Sequence, residues 1–251
     1  DDSIRIAKKY TTDARVRLCK NYKNFYGYTY MILDQLTNGK YKMLLCADDL
    51  IKDTFVEKTV KIMEEHPNVG YVHVERDFIM DNKGILDIDY FYNCSFIAPG
   101  RDTMPIYMVT SIAYPCQGIF RTDIFRRIGG YDMEINHMNA DRLLWFYLSY
   151  ESDYAYLREK LSYVRISEET ETFLGRQNFQ HPVLCHLTLK EMVRFGKKYD
   201  LREVYHREEE AKYRLAMDFL NHAAMLIVHN LEQTRRYLEY AVFVSPDIEM
   251  E

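Results

Sequence analysis

The sequence is poor in cysteine, and the cysteines it has are scattered. Cys19, Cys46, Cys94, Cys116 and Cys185 stand far apart in 251 positions, with no C-x-x-C pair among them. That spacing argues against a structural zinc site and a disulfide framework, and makes a reducing compartment the default expectation. No apolar run approaches the roughly 18 residues that span a bilayer, and Asp1-Asp2-Ser3 is not the start of a signal peptide. The expectation is therefore a cytoplasmic protein. Excess basic charge is also lacking: Lys and Arg total 33 against 38 Asp and Glu, a formal net charge of -5. Such a balance gives no electrostatic footprint for nucleic acid. G-x-S-x-G, P-loop and G-x-G-x-x-G motifs are absent, which argues against serine hydrolases, P-loop kinases and dinucleotide enzymes. So is H-E-x-x-H, and no internal repeat or low-complexity segment is visible.

What is present is a core-forming composition. Hydrophobic residues make up 47% of the chain, enough to bury a sizeable core, and Tyr and Phe number 22 and 13. Aromatic faces pack on pyranose rings, but they also fill cores and interfaces, so composition alone does not choose between these uses.

Periodicity predicts a short helix from Ser3 to Tyr10, a strand over Arg15 to Cys19 and a helix from Tyr28 to Thr37 ended by Asn38-Gly39. Tyr41 to Ala47 is a short apolar run, consistent with a buried strand, that meets Asp48-Asp49. Asp53 or Thr54 then caps a helix carrying Val56, Val60 and Met63, and Val69 to Val74 is another strand. This alternation implies an α/β architecture around a largely parallel sheet, whose ligands bind at the carboxyl ends of strands. Further on, Phe78 to Met80 and Ile85-Leu86 flank a hairpin turn, and Tyr90 to Met108, with Pro99-Gly100 and Pro105, reads as loop. Thr122 to Ile128 and Ala140 to Tyr150 read as helices, and Leu161 to Ile166 as a strand. From about Pro182 to Val244 nothing reads as strand. Leu215, Phe219, Ala223, Ile227 and Leu231 step at four-residue intervals, as in an extension of two or three helices.

Two places could carry chemistry. Asp48-Asp49, at the end of a buried strand, can hold a hard cation such as Mg²⁺ or Mn²⁺. Aspartates after strands also form turns or cap helices. Asp141 opens a helix, where an aspartate serves as a cap or dipole partner, or as a general base toward an acceptor hydroxyl. His137, four residues earlier, is a weaker candidate for the same cleft. His181 and His186 do not have the spacing of a helical metal pair.

In order and spacing these pieces resemble family 2 glycosyltransferases of the GT-A fold. The run Tyr41 to Asp49 followed by Phe55 to Lys58 resembles the family's strand, DADD and helix. Pro67 to Val74 and Met80 to Gly84 resemble the strand and hairpin that follow it. Gly118 to Arg121, Ile128 to Asp132, and Ala140-Asp141 with Leu144-Trp145 resemble the acceptor-side block. The resemblance implies a GT-A-like domain over residues 1–175, with a mostly parallel sheet and flanking helices. Residues 176–251 are then a helical extension, a candidate surface for peripheral membrane or homo-oligomer contact. It implies that Asp48 coordinates Mn²⁺ or Mg²⁺, that Asp49 helps hold the donor and that Asp141 is the catalytic base of an inverting enzyme. The donor is then a nucleotide-sugar, most often a UDP-sugar, and the acceptor a glycan hydroxyl. Three departures stand out: Cys46 replaces a common Asp, Ala140 replaces the usual Glu, and the first nucleotide-binding strands are expected to be missing before Asp1. The competing expectations are a non-catalytic GT-A-like sugar- or partner-binding module and a helical scaffold.

Overall fold

Two long strands organise the molecule, a computed structural model that describes residues 2–19, 34–80, 83–131 and 138–248. Strand β3 (Val69–Met80) and strand β7 (Asp153–Ile166) pair in parallel along most of their length. Each takes two further neighbours, one along each half. Residues 71–73 of β3 pair with β6 (Gly118–Arg121), and residues 78–80 pair with β4 (Gly84–Leu86). Residues 154–156 of β7 pair with β5 (Phe96–Ala98), and residues 162–163 with β2 (Leu50–Ile51). Strand β1 (Tyr41–Lys42) closes the far edge beside β6, so the sheet runs β1-β6-β3-β7-β2. Only the β3–β7 pairing is parallel among the described residues; the others are antiparallel. The sheet is thus mixed rather than mostly parallel, because short strands paired antiparallel outnumber the single parallel pair. Register shifts between Val74 and Arg76 bend β3 where its neighbour changes.

Alternation along β3 separates two faces. Val72 and Val74 face helix α2 (Phe55–Glu65) in a cluster with Phe55, Met63, Ile119 and Leu161. Tyr71 faces the opposite layer. That layer holds α3 (Gly100–Val109), α4 (Thr122–Arg127) and α5 (Ala140–Glu151), with Met104, Tyr107, Phe125, Leu143 and Trp145 buried among them. The same cluster continues into α7 (Gln180–Lys198) through Leu189, Met192 and Val193, and into α8 (Arg202–Tyr205) through Val204. Helices α1 (Ser3–Lys8) and α6 (Glu171–Gln177) lie outside that stack. Helices α9 (Glu208–Leu226) and α10 (Leu231–Val244) close a separate cluster around Phe219, Ala223, Tyr237 and Ala241. The stepping from Leu215 therefore ends at Ala223: Ile227 and Leu231 lie in and beyond the turn after α9 and are exposed. No helix among the described residues is long and apolar enough to cross a membrane.

Several local expectations are corrected. Residues 15–19 form no strand, and the 41–47 run contributes only Tyr41 and Lys42. The buried stripe of α2 is Phe55, Thr59 and Met63, while Val56 is exposed. Residues 90–108 hold β5 and most of α3 rather than loop, and β7 begins eight residues before Leu161. Most of the helix expected over Tyr28 to Thr37, the turn residues Asp81-Asn82, and Asp132 and His137 lie outside the described residues.

Candidate functional site

Asp48 and Asp49 occupy a turn closed by the Asp49 N–H on the Cys46 carbonyl at 3.2 Å, immediately before β2. Because β2 pairs with the far half of β7, the turn is drawn over the carboxyl-terminal part of the central parallel pair. There the Arg165 backbone N–H donates to Asp49 Oδ1 at 3.0 Å, and Arg165 Nε donates to the Asp48 carbonyl at 3.1 Å. Asp49 is buried and Asp48 exposed.

The neighbouring wall is the one-turn 3-10 segment Pro115–Gln117 that leads into β6. Gln117 fixes it: Nε2 donates to the Val74 carbonyl at 2.7 Å, and Oε1 accepts the Tyr114 N–H at 2.9 Å. This presents Cys116, whose thiol, like that of Cys46, stands beside the Asp49 carboxylate and works to lower its pKa. Burial raises the Asp49 carboxyl; the Arg165 N–H and the two thiols oppose the rise, and Asp48 adds to it. Burial likewise pushes the Cys46 thiol up to about 12, with Asp49, Asp48 and Asp141 each adding to it. Cys46 thus stays a neutral thiol among three carboxylates.

Asp141 reaches this region from α5. The helix's capping position belongs to Asn139, so Asp141 is the second helical residue and not the cap. Its half-buried carboxyl is pushed up to about 6 by desolvation, against the pull of the backbone N–H groups of Arg142 and Asp141 itself. At a helix N-terminus the dipole favours the anion, so burial wins here. Asp141 also bears on Tyr114, whose phenol is raised by burial and by Asp141 and lowered by Arg76 and Arg176. The Arg76 guanidinium lies 5.4 Å from the Tyr114 ring centroid.

Two glycines shape the block that precedes α5. A Cβ on Gly118 would collide with the Trp145 ring, so Trp145 seats against β6 only because residue 118 lacks one. Gly129 and Gly130 have φ of +90° and +80°, and the Gly130 N–H wraps back to the Phe125 carbonyl at 2.9 Å to end α4.

The structure therefore brings Asp48 and Asp49 together beside Cys46, and the Asp141 charge is felt at the same thiol from the start of α5. Sequence reasoning did not single out Arg165, Cys116 or Tyr114. Arg165 carries no motif, and its role depends on a pairing between segments more than a hundred residues apart. Ligand atoms of Cys46, Asp48 and Asp49 lie within 4.8 Å of one another. Two carboxylates are the oxygen donors Mn²⁺ and Mg²⁺ take, whereas a protonated thiol is not. The residues fit a hard cation held through oxygen, with Asp48 as the solvent-facing arm.

No protein-family model matches the chain, and no curated protein matches it in sequence. Solved structures do match. The fragment 1–349 of TarS from S. aureus superposes with a TM-score of 0.63 at 12% identity, over 97% of this chain and 67% of that one. The same fragment in complex with UDP gives 0.55 at 14%, over 98% and 76%. The mannosyltransferase PcManGT from Pyrobaculum calidifontis, in complex with GDP-Man and Mn²⁺, gives 0.51 at 11%, over 97% and 72%. The chain spans 46% of the longer TarS structure. It has the GT-A-like fold of these proteins.

Proposed function

We propose that this chain carries the centre of an inverting glycosyltransferase that moves a sugar from a nucleotide-sugar, a UDP-sugar as first choice, to a carbohydrate hydroxyl. The observation that carries the reading is the grouping of Cys46, Asp48 and Asp49 within 4.8 Å of one another, with the Asp141 charge near enough to raise the Cys46 thiol. The bound UDP and GDP-Man of the fold neighbours support a nucleotide-sugar donor.

Asp48 would hold Mn²⁺ or Mg²⁺, which when bound neutralises the charge of a departing diphosphate. Asp49 positions the turn: its carboxylate accepts the Arg165 N–H while Arg165 Nε holds the Asp48 carbonyl. Asp141 takes the acceptor's proton as the acceptor oxygen attacks the anomeric carbon and the bond to the nucleoside diphosphate breaks. A carboxyl with a pKa of about 6 is largely ionised at neutral pH yet more basic than an ordinary aspartate, as a general base requires. Ala140 supplies no second carboxylate beside it.

Calorimetry of UDP binding to the full-length protein tests this. Mn²⁺ is expected to tighten UDP binding at least tenfold in the native protein and to have no effect in Asp48→Ala. Equal affinity with and without Mn²⁺ would refute the metal role.

A further inference from the structure

A cavity of about 620 Å³ opens between the end of α4, the second half of α5 and the last turns of α7. That volume lies within the usual range of small-ligand sites, about 300–1,000 Å³. Its walls combine two chemistries. Tyr147, Tyr150, Phe195 and Tyr199 form one aromatic group, with the ring centroids of Tyr150 and Tyr199 5.1 Å and 4.5 Å from that of Phe195. Glu191 stands among them, 7% exposed, accepting the Tyr147 hydroxyl at 3.1 Å and both Nε and Nη2 of Arg194 at 2.6 Å. At the rim Arg127 pairs with Glu151 at 3.4 Å.

The cavity is distinct from the Asp48–Asp141 locality. Tyr150 stands nine residues after Asp141 on α5, which at 1.5 Å per residue places it about 14 Å further along the axis. Nothing in the proposed transfer step uses these residues.

We propose that this cavity is a second saccharide-binding site, taking a neutral pyranoside. Aromatic faces carry negative charge and attract the C–H faces of a sugar ring. A carboxylate and a guanidinium locked edge to edge offer acceptor and donor side by side, as vicinal hydroxyls require. The charge pattern favours a neutral ligand over an anionic one: Arg127 and Arg194 are each committed to a carboxylate of the same wall, and the third cation of the lining, Lys198, lies against the Tyr199 ring, 5.0 Å from its centroid. A polymeric acceptor held here would keep a distal unit on the protein while another unit meets Asp141.

Saturation-transfer NMR on the full chain, without nucleotide, tests the assignment. The probes are the methyl glycosides of glucose, galactose, mannose and N-acetylglucosamine, with glucose 6-phosphate as the anionic comparison. At least one neutral glycoside is expected to bind saturably, with Kd raised fivefold or more in Tyr199→Ala and in Glu191→Gln and changed less than twofold in Asp141→Asn. Tyr199 is 41% exposed, so its truncation leaves the core intact. The proposal is overturned by no saturable binding of any neutral glycoside, by binding that survives Tyr199→Ala, by loss of binding in Asp141→Asn, or by glucose 6-phosphate binding in preference to all four.

Discussion

Replacing Asp141 with Asn is expected to make the protein more stable and less active at once. An aspartate of ordinary pKa 3.8 is held at about 6 in the folded chain, chiefly by desolvation. Holding a carboxyl that far above its ordinary value corresponds to about 3 kcal/mol, at roughly 1.36 kcal/mol for each tenfold change in proton affinity. Between about pH 4 and 6 the folded chain keeps a proton on Asp141 that the unfolded chain has released. The stability this contributes is complete below pH 3.8 and is lost as pH rises through 6. Asn keeps the shape and carries no charge to desolvate. Asp141→Asn should therefore gain up to about 3 kcal/mol at pH 8 and almost nothing at pH 4, a rise in Tm of roughly 6–12 °C at the alkaline end. Thermal melts of metal-free protein across pH 4 to 8 measure this directly. Sugar transfer by the same variant should fall by about 10²- to 10⁴-fold, the usual worth of general-base help. Native activity should rise with pH through about 6. A variant that is less stable at pH 8, or that keeps the native dependence of Tm on pH, would refute the reasoning. Near-native turnover would leave Asp141 without a catalytic role.

Two other perturbations test the framework. Glu75, with a side chain 1% exposed, accepts the Phe91 N–H at 2.7 Å and the Tyr156 hydroxyl. Glu75→Gln turns a donor toward a donor and should cost about 1–3 kcal/mol in urea unfolding; an unchanged midpoint would show the network to be dispensable. Cys46, with its thiol raised to about 12, should resist iodoacetamide at pH 8 while exposed Cys19 and Cys94 are labelled, as peptide mapping would report. Labelling of Cys46 as fast as Cys94 would contradict the electrostatics assigned to the site.

Local signals were readable where the feature is local. The end of α4 and the start of α5 follow from Gly129-Gly130 and from a helical pattern beginning at Ala140. The hairpin after β3 follows from two apolar runs around a polar turn. Reading failed where a residue answers to a distant neighbour. Pro99-Gly100 and Pro105 looked like loop punctuation, yet α3 starts at Gly100, and a Cβ there would collide with the carbonyls of Ser149 and Ser152. The glycine is a packing requirement of α5, not a helix breaker. In α2 the buried stripe runs through Phe55, Thr59 and Met63 rather than Val56, and Thr59 is tolerated there because its hydroxyl bonds the Phe55 carbonyl at 2.8 Å. The carboxylates were visible as a pattern, whereas Arg165 and Cys116 became visible only when β2 met β7.

Adjacent aspartates at positions 48 and 49 have different tasks because their surroundings differ. Asp49 is turned inward, where the Arg165 N–H supplies a donor that a buried carboxylate needs and the two neutral thiols stand beside it. Asp48 has its carbonyl held by Arg165 Nε and is itself left toward solvent. Cys46 sharpens the division. A carboxylate at that position would add a further negative group near Asp48, Asp49 and Asp141, whereas a thiol that stays protonated adds no charge. A thiol at position 46 thus offers no oxygen ligand. It leaves any hard cation at this turn to depend on Asp48 and on oxygens brought by the donor diphosphate.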